Sequence, residues 1–290
     1  MLPYIVNLPP FIHRGVDIEE YNFSRKIFFI IKGKILGFFI ERLSGSTFCY
    51  LINLFYRDEE KIFFENSYYK KTLPNTGIMY FPNKRILRMV NKPDIQLNRL
   101  LKSYCIDKNI IFKGDTVIDC GANVGELNVA LKNRGIQVNY IGFEPDPETF
   151  NCLKLNNPEK NNTLFMNALS NRKSEEKYFI DSDGGNSSLV DFGKSESITV
   201  SAITLDSLNI DYEIRLLKID AEGFEPEVLS GALKTLDYIN YISVDYGHER
   251  GVKEESTIVD VNKFLYSNNF ELIKFSEYRL IGLYENKKFK

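Results

Sequence analysis

Two hydropathic patterns divide the chain. Residues 24–55 hold an apolar run, IFFIIKGKILGFFI (Ile27–Ile40), a polar break at Ser44-Gly45-Ser46-Thr47 and a second run, FCYLINLF. Apolar stretches of this length, the first interrupted only by Lys32 and Lys34 and two glycines, predict helices. Residues 61–90 are rich in Phe, Tyr and Ile around LPNTG and PNK turn signals, which predicts short strands or a hairpin. A helix is expected over 95–106. From Thr116 the pattern changes to apolar β-rich runs alternating with helical spacing. TVIDC precedes a helix over 124–134, VNYIGFE precedes a helix over 146–156, and TLFMNAL follows. After a polar, Gly/Ser-bearing insertion come RLLKID, a helix from Pro226 to about Leu236, YISVDY, a helix over 255–268, FELIKF and YRLIGLY. Strands interleaved with helices predict an α/β fold, a mostly parallel sheet wound on both faces. Only Ser276-Glu277 separates the last two strands, so they should pair as a hairpin and place one antiparallel strand at or near an edge.

Composition adds boundaries. Of 290 residues, 43% are hydrophobic and 26% charged, which excludes a disordered tail and supplies a core. The net charge of −2 hides an asymmetry. Residues 1–113 carry 18 Lys and Arg against 10 Asp and Glu, whereas 114–290 carry 19 against 29. The chain therefore reads as a basic helical and hairpin extension, 1–113, followed by an acidic domain, 114–290. Four cysteines without C-x-x-C spacing argue against a disulfide framework and fit a reducing compartment. His13 and His248 are too few for a His-rich metal site. MLPYIVNLPP lacks the marks of a secretory leader, and Ile27–Ile40 falls short of the about 20 apolar residues that span a bilayer. A cytoplasmic protein is expected, with peripheral contact at the inner membrane face through residues 24–55 as one use of the basic front. Its positive charge is not gathered into a nucleic-acid reading module, so no nucleic-acid partner is expected.

The most informative stretch is GDTVIDCGANVG, Gly114–Gly125. An apolar strand ends at Asp119, a turn carries Gly121, Asn123 and Gly125, and a helix begins. Small residues there let backbone N–H groups approach a ligand, the arrangement of a Rossmann-like sheet. Glu144 ends the next strand, where a carboxylate accepts the hydroxyls of a ribose. The dinucleotide pattern G-x-G-x-x-G is not met, because Asn123 and Glu126 stand where glycines are needed, and no G-x-x-x-x-G-K-[ST] occurs. D-x-G-x-x-x-G with a terminal acid suits S-adenosylmethionine, which has no phosphate, with Asp119 facing its ammonium. A structural turn without a ligand would leave Glu144 unexplained.

LLKIDAEGFEPEVLSGA (Leu216–Ala232) reads as strand, loop and helix. Glu225 and Glu227 suit the positive end of the helix that Pro226 opens. Asp220 and Glu222 are not explained that way, since they follow the carboxyl end of a parallel strand, where such folds bind ligands.

GDTVIDCGANVG, GFEP (Gly142–Pro145), MNALS (Met166–Ser170), GGNSSL (Gly184–Leu189), TLDSL (Thr204–Leu208) and LLKIDAEGFEPEVLSGA occur in one order. Over about residues 100–275 the chain resembles the FkbM-type methyltransferases, class I S-adenosylmethionine-dependent enzymes best known for O-methylation of sugars, polyketides and other hydroxylated metabolites. KIDAEGFE is the most specific piece. The resemblance implies that Gly121, Asn123, Gly125 and Glu144 bind the cofactor and that Asn167 and Ala168 lie near its adenine. It also implies that Asp220 and Glu222 face methyl transfer.

A neutral hydroxyl is a poor nucleophile, so a group that removes its proton is expected. Asp220, Glu222 and His248, beyond the fifth strand, are the candidates, with a loop role for His248 equally open. Lys218, in a buried strand, reads as a snorkelling or ion-paired residue rather than a catalyst. Asp220, Glu222 and Asp245 offer oxygens to Mg²⁺, but nothing in their spacing demands a metal. The expected activity is in-line O-methylation of a small metabolite or sugar, for instance a cell-surface glycan or its precursor. The alternatives are N-methylation from the same cofactor site and a non-catalytic scaffold.

Overall fold

The computed structural model describes residues 21–56, 60–180, 187–191 and 196–289. His13 and the Gly184–Asn186 part of GGNSSL lie outside them. The chain divides into two compact units, Met1–Gln96 and Leu97–Lys290, a division upstream of the charge boundary at Gly114.

In the first unit the predicted helical region is two helices, α1 (Phe23–Arg42) and α2 (Gly45–Phe55). The Asn22 side chain caps α1 by accepting from the Arg25 N–H. Extended backbone at Leu43 and Ser44 ends one helix and starts the next. Three antiparallel strands follow, β1 (Ile62–Glu65), β2 (Tyr68–Leu73) and β3 (Gly77–Phe81), the last two joined through the predicted Pro-Asn-Thr turn. Asn53 ties α2 to β1 by bonding both the carbonyl and the N–H of Ile62, at 2.6 and 3.0 Å. A 3-10 turn over Lys84–Met89 precedes α3 (Pro93–Ser103), within which the division into units falls.

The second unit carries β4 (Thr116–Cys120), α4 (Glu126–Asn133), β5 (Asn139–Phe143), α5 (Pro147–Asn156), β6 (Thr163–Phe165), β7 (Ala168–Leu169), β8 (Ser174–Phe179) and β9 (Ser197–Ile203). Then come β10 (Ile214–Ile219), α6 (Glu225–Ser230), β11 (Ile239–Asp245), β12 (His248–Arg250), β13 (Glu255–Ser256), α7 (Ile258–Ser267), β14 (Phe270–Phe275) and β15 (Ile281–Asn286). The central sheet has the order β14-β15-β11-β10-β4-β5-β6. β11, β10, β4, β5 and β6 run parallel, and β15 is antiparallel to both of its neighbours. This is the doubly wound, mostly parallel sheet expected from the sequence, with its antiparallel strand next to the edge.

Two parts depart from the sequence reading. TLFMNAL is not one strand: it breaks into β6 and β7, and β7 leaves the central sheet to join β9 and β8 in a separate one. The polar insertion supplies those two strands, whose alternation of buried and exposed positions is short and mostly polar. A small hairpin, β12–β13, also stands where the sequence predicted a loop and the first turn of the helix over 255–268, which begins at Ile258 instead.

The chain moves outward from β4 to β6 and then returns to β10 on the other side of β4. That reversal opens a crevice at the carboxyl ends of β4 and β10. Ile118, Leu217, Ile219, Ile242 and Val244 are buried in one apolar cluster that fixes the strands bearing the crevice. Leu217 is fully buried on β10, between β4 and β11. Leu217→Ala should cost roughly 2–5 kcal/mol through lost transfer energy and a residual cavity. Urea unfolding measures this, and an unchanged midpoint would contradict it.

Candidate functional site

The crevice is a cleft whose wall includes Cys120, Gly121, Phe143, Asn167, Ala168, Tyr178, Asp220 and Phe224. Gly121 has φ +74°, and a Cβ there would lie 2.0 Å from the Asp220 carbonyl oxygen. Only glycine lets the loops after β4 and β10 approach so closely. Gly125 has φ +81°, but its missing Cβ makes room for the Asn157 side chain, so this glycine serves packing of the loop against the end of α5.

The carboxylate of Asp119 is buried, with 1% of the residue exposed. One oxygen pairs with Lys218 Nζ at 2.9 Å and the other accepts from the Tyr140 hydroxyl at 2.6 Å. It is consumed inside the fold rather than offered to a ligand's ammonium. Lys218 also donates to the carbonyls of Cys120 and Gly121, at 3.1 and 2.8 Å, so one ammonium fixes the start of the glycine loop. Burial opposes that charge, yet neighbouring Asp119 and Asp220 hold the lysine pKa above its ordinary value.

Glu144 is 4% exposed. Its two oxygens accept from the backbone N–H groups of Asn123, at 2.9 Å, and Asp146, at 3.0 Å. Burial raises its pKa to about 7 against the opposing effect of these bonds. Asn123, at φ +51°, accepts from the Val124 N–H through its own side chain, which keeps the loop in register with Glu144. Asn167 and Ala168 line the cleft between β6 and β7.

A second group of charges follows β10. Glu225 turns back to accept from the N–H groups of Ala221 and Gly223, at 3.1 and 3.0 Å, and from the Thr257 hydroxyl at 2.9 Å. It holds the loop in which Glu222 adopts φ +51°. Asp220 accepts a short hydrogen bond from the Tyr104 hydroxyl and lies 3.5 Å from Arg279. Arg279 also pairs with Asp245 at 2.5 Å. Side-chain oxygens of Asp220, Glu222 and Glu249 lie within 4.8 Å of one another. Burial, with Asp220 and Glu249 adding repulsion, raises Glu222 to about 10. Burial and Asp220 raise Asp245 to about 8 despite Arg279 beside it.

Alternation along β12 decides between two neighbours. His248 points to solvent with Nδ1 3.2 Å from the Glu254 carbonyl, while Glu249 turns inward to the carboxylates. His248 is therefore outside the cluster for which the sequence proposed it. Sequence reading missed Tyr104, Glu249 and Arg279, which carry no motif. Only the alternating phase of VDYGHERG pointed to Glu249.

The residues fit an adenosyl sulfonium. Glu144 is a buried carboxylate fixed by two N–H groups with lone pairs to spare, Phe143, Tyr178 and Phe224 offer apolar wall, and among the described residues no lysine or arginine lines the cleft.

Comparison with known proteins agrees with this class of site. The family model described as the methyltransferase FkbM domain matches residues 119–272, and the chain belongs to that family. Residues 119–272 are therefore a methyltransferase FkbM domain. The hexuronic acid methyltransferase AglP of Haloferax volcanii is 27% identical over 139 residues, 45% of this chain and 55% of that relative. The chain thus spans about half the length of that relative. Among solved structures, a SAM dependent methyltransferase from Aquifex aeolicus aligns with TM-score 0.37 and 15% identity, over 65% of this chain and 88% of that one. Precorrin-6y C5,15-methyltransferase from Geobacter metallireducens aligns with TM-score 0.36 and 10% identity, over 65% and 87%.

Glu144→Gln should weaken S-adenosylmethionine binding about ten- to hundred-fold, as expected for lost hydrogen bonds to a charged acceptor. In the parent, affinity should fall as pH drops through about 7, where the carboxylate takes up a proton. Calorimetry at several pH values measures both. An unaltered dissociation constant in the variant would remove Glu144 from the cofactor site.

Proposed function

We propose that the protein methylates a hydroxyl of a saccharide or similar small metabolite and that the carboxylates after β10 and β11 remove the hydroxyl's proton. The observation that carries this reading is the convergence of Glu222 and Glu249 on Asp220, which lines the cleft, with the side-chain oxygens of all three within 4.8 Å of one another. Carboxylates are strong acceptors for sugar hydroxyls, and a hexuronic acid methyltransferase is among the relatives.

Bound S-adenosylmethionine supplies an electrophilic methyl group on a sulfonium. Glu144, Gly121, Asn123, Gly125, Asn167 and Ala168 are assigned to holding it, Gly125 through the shape of its loop. Asp119 acts one step back, as the anion that keeps Lys218 ionised under the glycine loop.

The chain's own groups divide the remaining work. Tyr104, kept protonated by burial and by Asp220, donates to Asp220 and fixes its rotamer. Arg279 balances Asp220 and Asp245. Asp220 is then placed to orient the acceptor hydroxyl. Glu222 and Glu249, crowded together with no cation of their own at comparable distance among the ion pairs described, share a proton and accept another from the substrate when ionised. A carboxylate with a raised pKa is a stronger base than a solvated one, which suits an alcohol. A second reading has one specific observation in its favour: an acidic cluster also attracts a protonated amine, so N-methylation uses the same residues. Glu249 takes the place that the sequence gave to Asp245 beside Asp220 and Glu222 in a set of oxygens that could also hold a divalent cation.

Labelled methyl transfer into saccharide extracts, with the product's linkage identified by mass spectrometry, tests the acceptor class. A methylamine product would replace the O-methyl reading. Glu222→Gln and Asp220→Asn should lower turnover roughly 10²- to 10⁴-fold while cofactor affinity survives. Turnover should climb with pH toward the Glu222 pKa of about 10. Glu249→Gln removes a neighbouring negative charge and should move that limb to lower pH. A limb unmoved by Glu249→Gln, or full turnover in Glu222→Gln, would dismiss the carboxylate base.

A further inference from the structure

α1 has two apolar faces. Gly33 and Leu36 are buried on one side, where the first unit packs against the helix. Phe23, Ile27, Phe28, Ile31, Ile35 and Phe38 are exposed, from 38% at Ile27 to 67% at Phe23. With 3.6 residues per turn these six positions fall within an arc of about 140°. A helix apolar all round is normally enclosed on every side. This one is enclosed on one side only, and α2 adds Tyr50 and Leu54, at 73% and 63% exposure.

The charges of α1 identify what would cover this face. Arg25, Lys26, Lys32, Lys34 and Arg42 stand against a single acid, Glu41. On the helical projection Lys34 lies just inside one edge of the apolar arc and Arg25 about 60° beyond the other, while Lys32, between Arg25 and that edge, rests its ammonium over the Tyr56 ring. Long basic side chains flanking an apolar stripe seat their stems in the acyl boundary and their heads among phosphates. A second copy of this chain would bring like charges together along the same stripe, which opposes self-association. Among the described residues no helix is long and apolar enough to cross a membrane, so the arrangement suits lying in an interface.

We infer that α1 docks in the interfacial layer of an anionic lipid surface, with Phe28, Ile31 and Ile35 inserted and Arg25 and Lys34 at the headgroups. This inference stands independently of the acceptor chemistry, since none of these side chains belongs to the cleft. It gives a physical use to the basic bias of the first part of the chain.

Flotation of the full chain with vesicles of phosphatidylcholine, with and without phosphatidylglycerol, tests it. The parent should float with the phosphatidylglycerol vesicles and stay behind with phosphatidylcholine alone, and added salt should weaken flotation. The triple variant Phe28→Ser, Ile31→Ser, Ile35→Ser should lose flotation. Arg25→Gln with Lys34→Gln should lower partition about thirty-fold, at about 1 kcal/mol per basic side chain near the surface. Unchanged S-adenosylmethionine affinity in both variants shows that they remain folded. A parent that does not float with phosphatidylglycerol vesicles, or a triple variant that floats as well as the parent, overturns the inference. So does a solution dimer of the parent that the triple variant dissolves while no vesicle binds.

Discussion

One buried ammonium organises the cofactor side of this protein. Lys218 lies opposite Asp119 in the β4–β10 register and is 3% exposed. An unpaired charge at such a position would cost several kcal/mol. Lys218 meets that cost by pairing with Asp119 and donating to the Cys120 and Gly121 carbonyls. The carbonyls it engages belong to the turn between β4 and α4, so the ion pair and the loop geometry are a single constraint. Gly121 belongs to it as well, because a side chain there would collide with the backbone of Asp220.

On the other side of that backbone the balance reverses. Arg279 serves Asp220 and Asp245, and Tyr104 donates to Asp220, but Glu222 and Glu249 are left in each other's field. Burial and repulsion hold protons on this group near neutral pH. The fold accepts that unfavourable arrangement because Glu225, bonded to the N–H groups of Ala221 and Gly223, pins the loop from behind. One loop therefore carries a structural acid at 225 and, at 222, the acid proposed as the base, told apart by their partners rather than by their residue type.

The legible part of the fold is the part written in local patterns. β4, the glycine turn, α4 and β5 follow from contiguous residues, as do β10 and its loop, and Glu144 was recognisable because it ends a strand next to that turn. Lys218 reads from the sequence as snorkelling or ion-paired, and the fold takes the second course because the buried strand leaves its ammonium no route to water. Tyr104 and Arg279 were invisible: their meeting with Asp220 joins positions more than a hundred residues apart in one case and fifty-nine apart in the other. Asp119 was given to the cofactor because the sequence shows a strand's last acid without showing the lysine beneath it. His248 was chosen for its titration range, whereas one residue of strand phase puts Glu249 inside instead. β8 and β9 escaped because a mostly polar sheet has a weak alternation signal.

The central claim is that Lys218 acts on the cofactor through the loop, and replacing both ion partners separates this from stability. Lys218→Met alone leaves Asp119 buried without its cation, whereas Lys218→Met with Asp119→Leu removes both charges and should regain most of the lost stability. Calorimetric titration of that double variant with S-adenosylmethionine is the direct measurement. The account predicts a folded protein whose affinity is lower by about tenfold or more, because the Cys120 and Gly121 carbonyls have lost their common donor. A double variant that is stable and binds S-adenosylmethionine as tightly as the parent would contradict it.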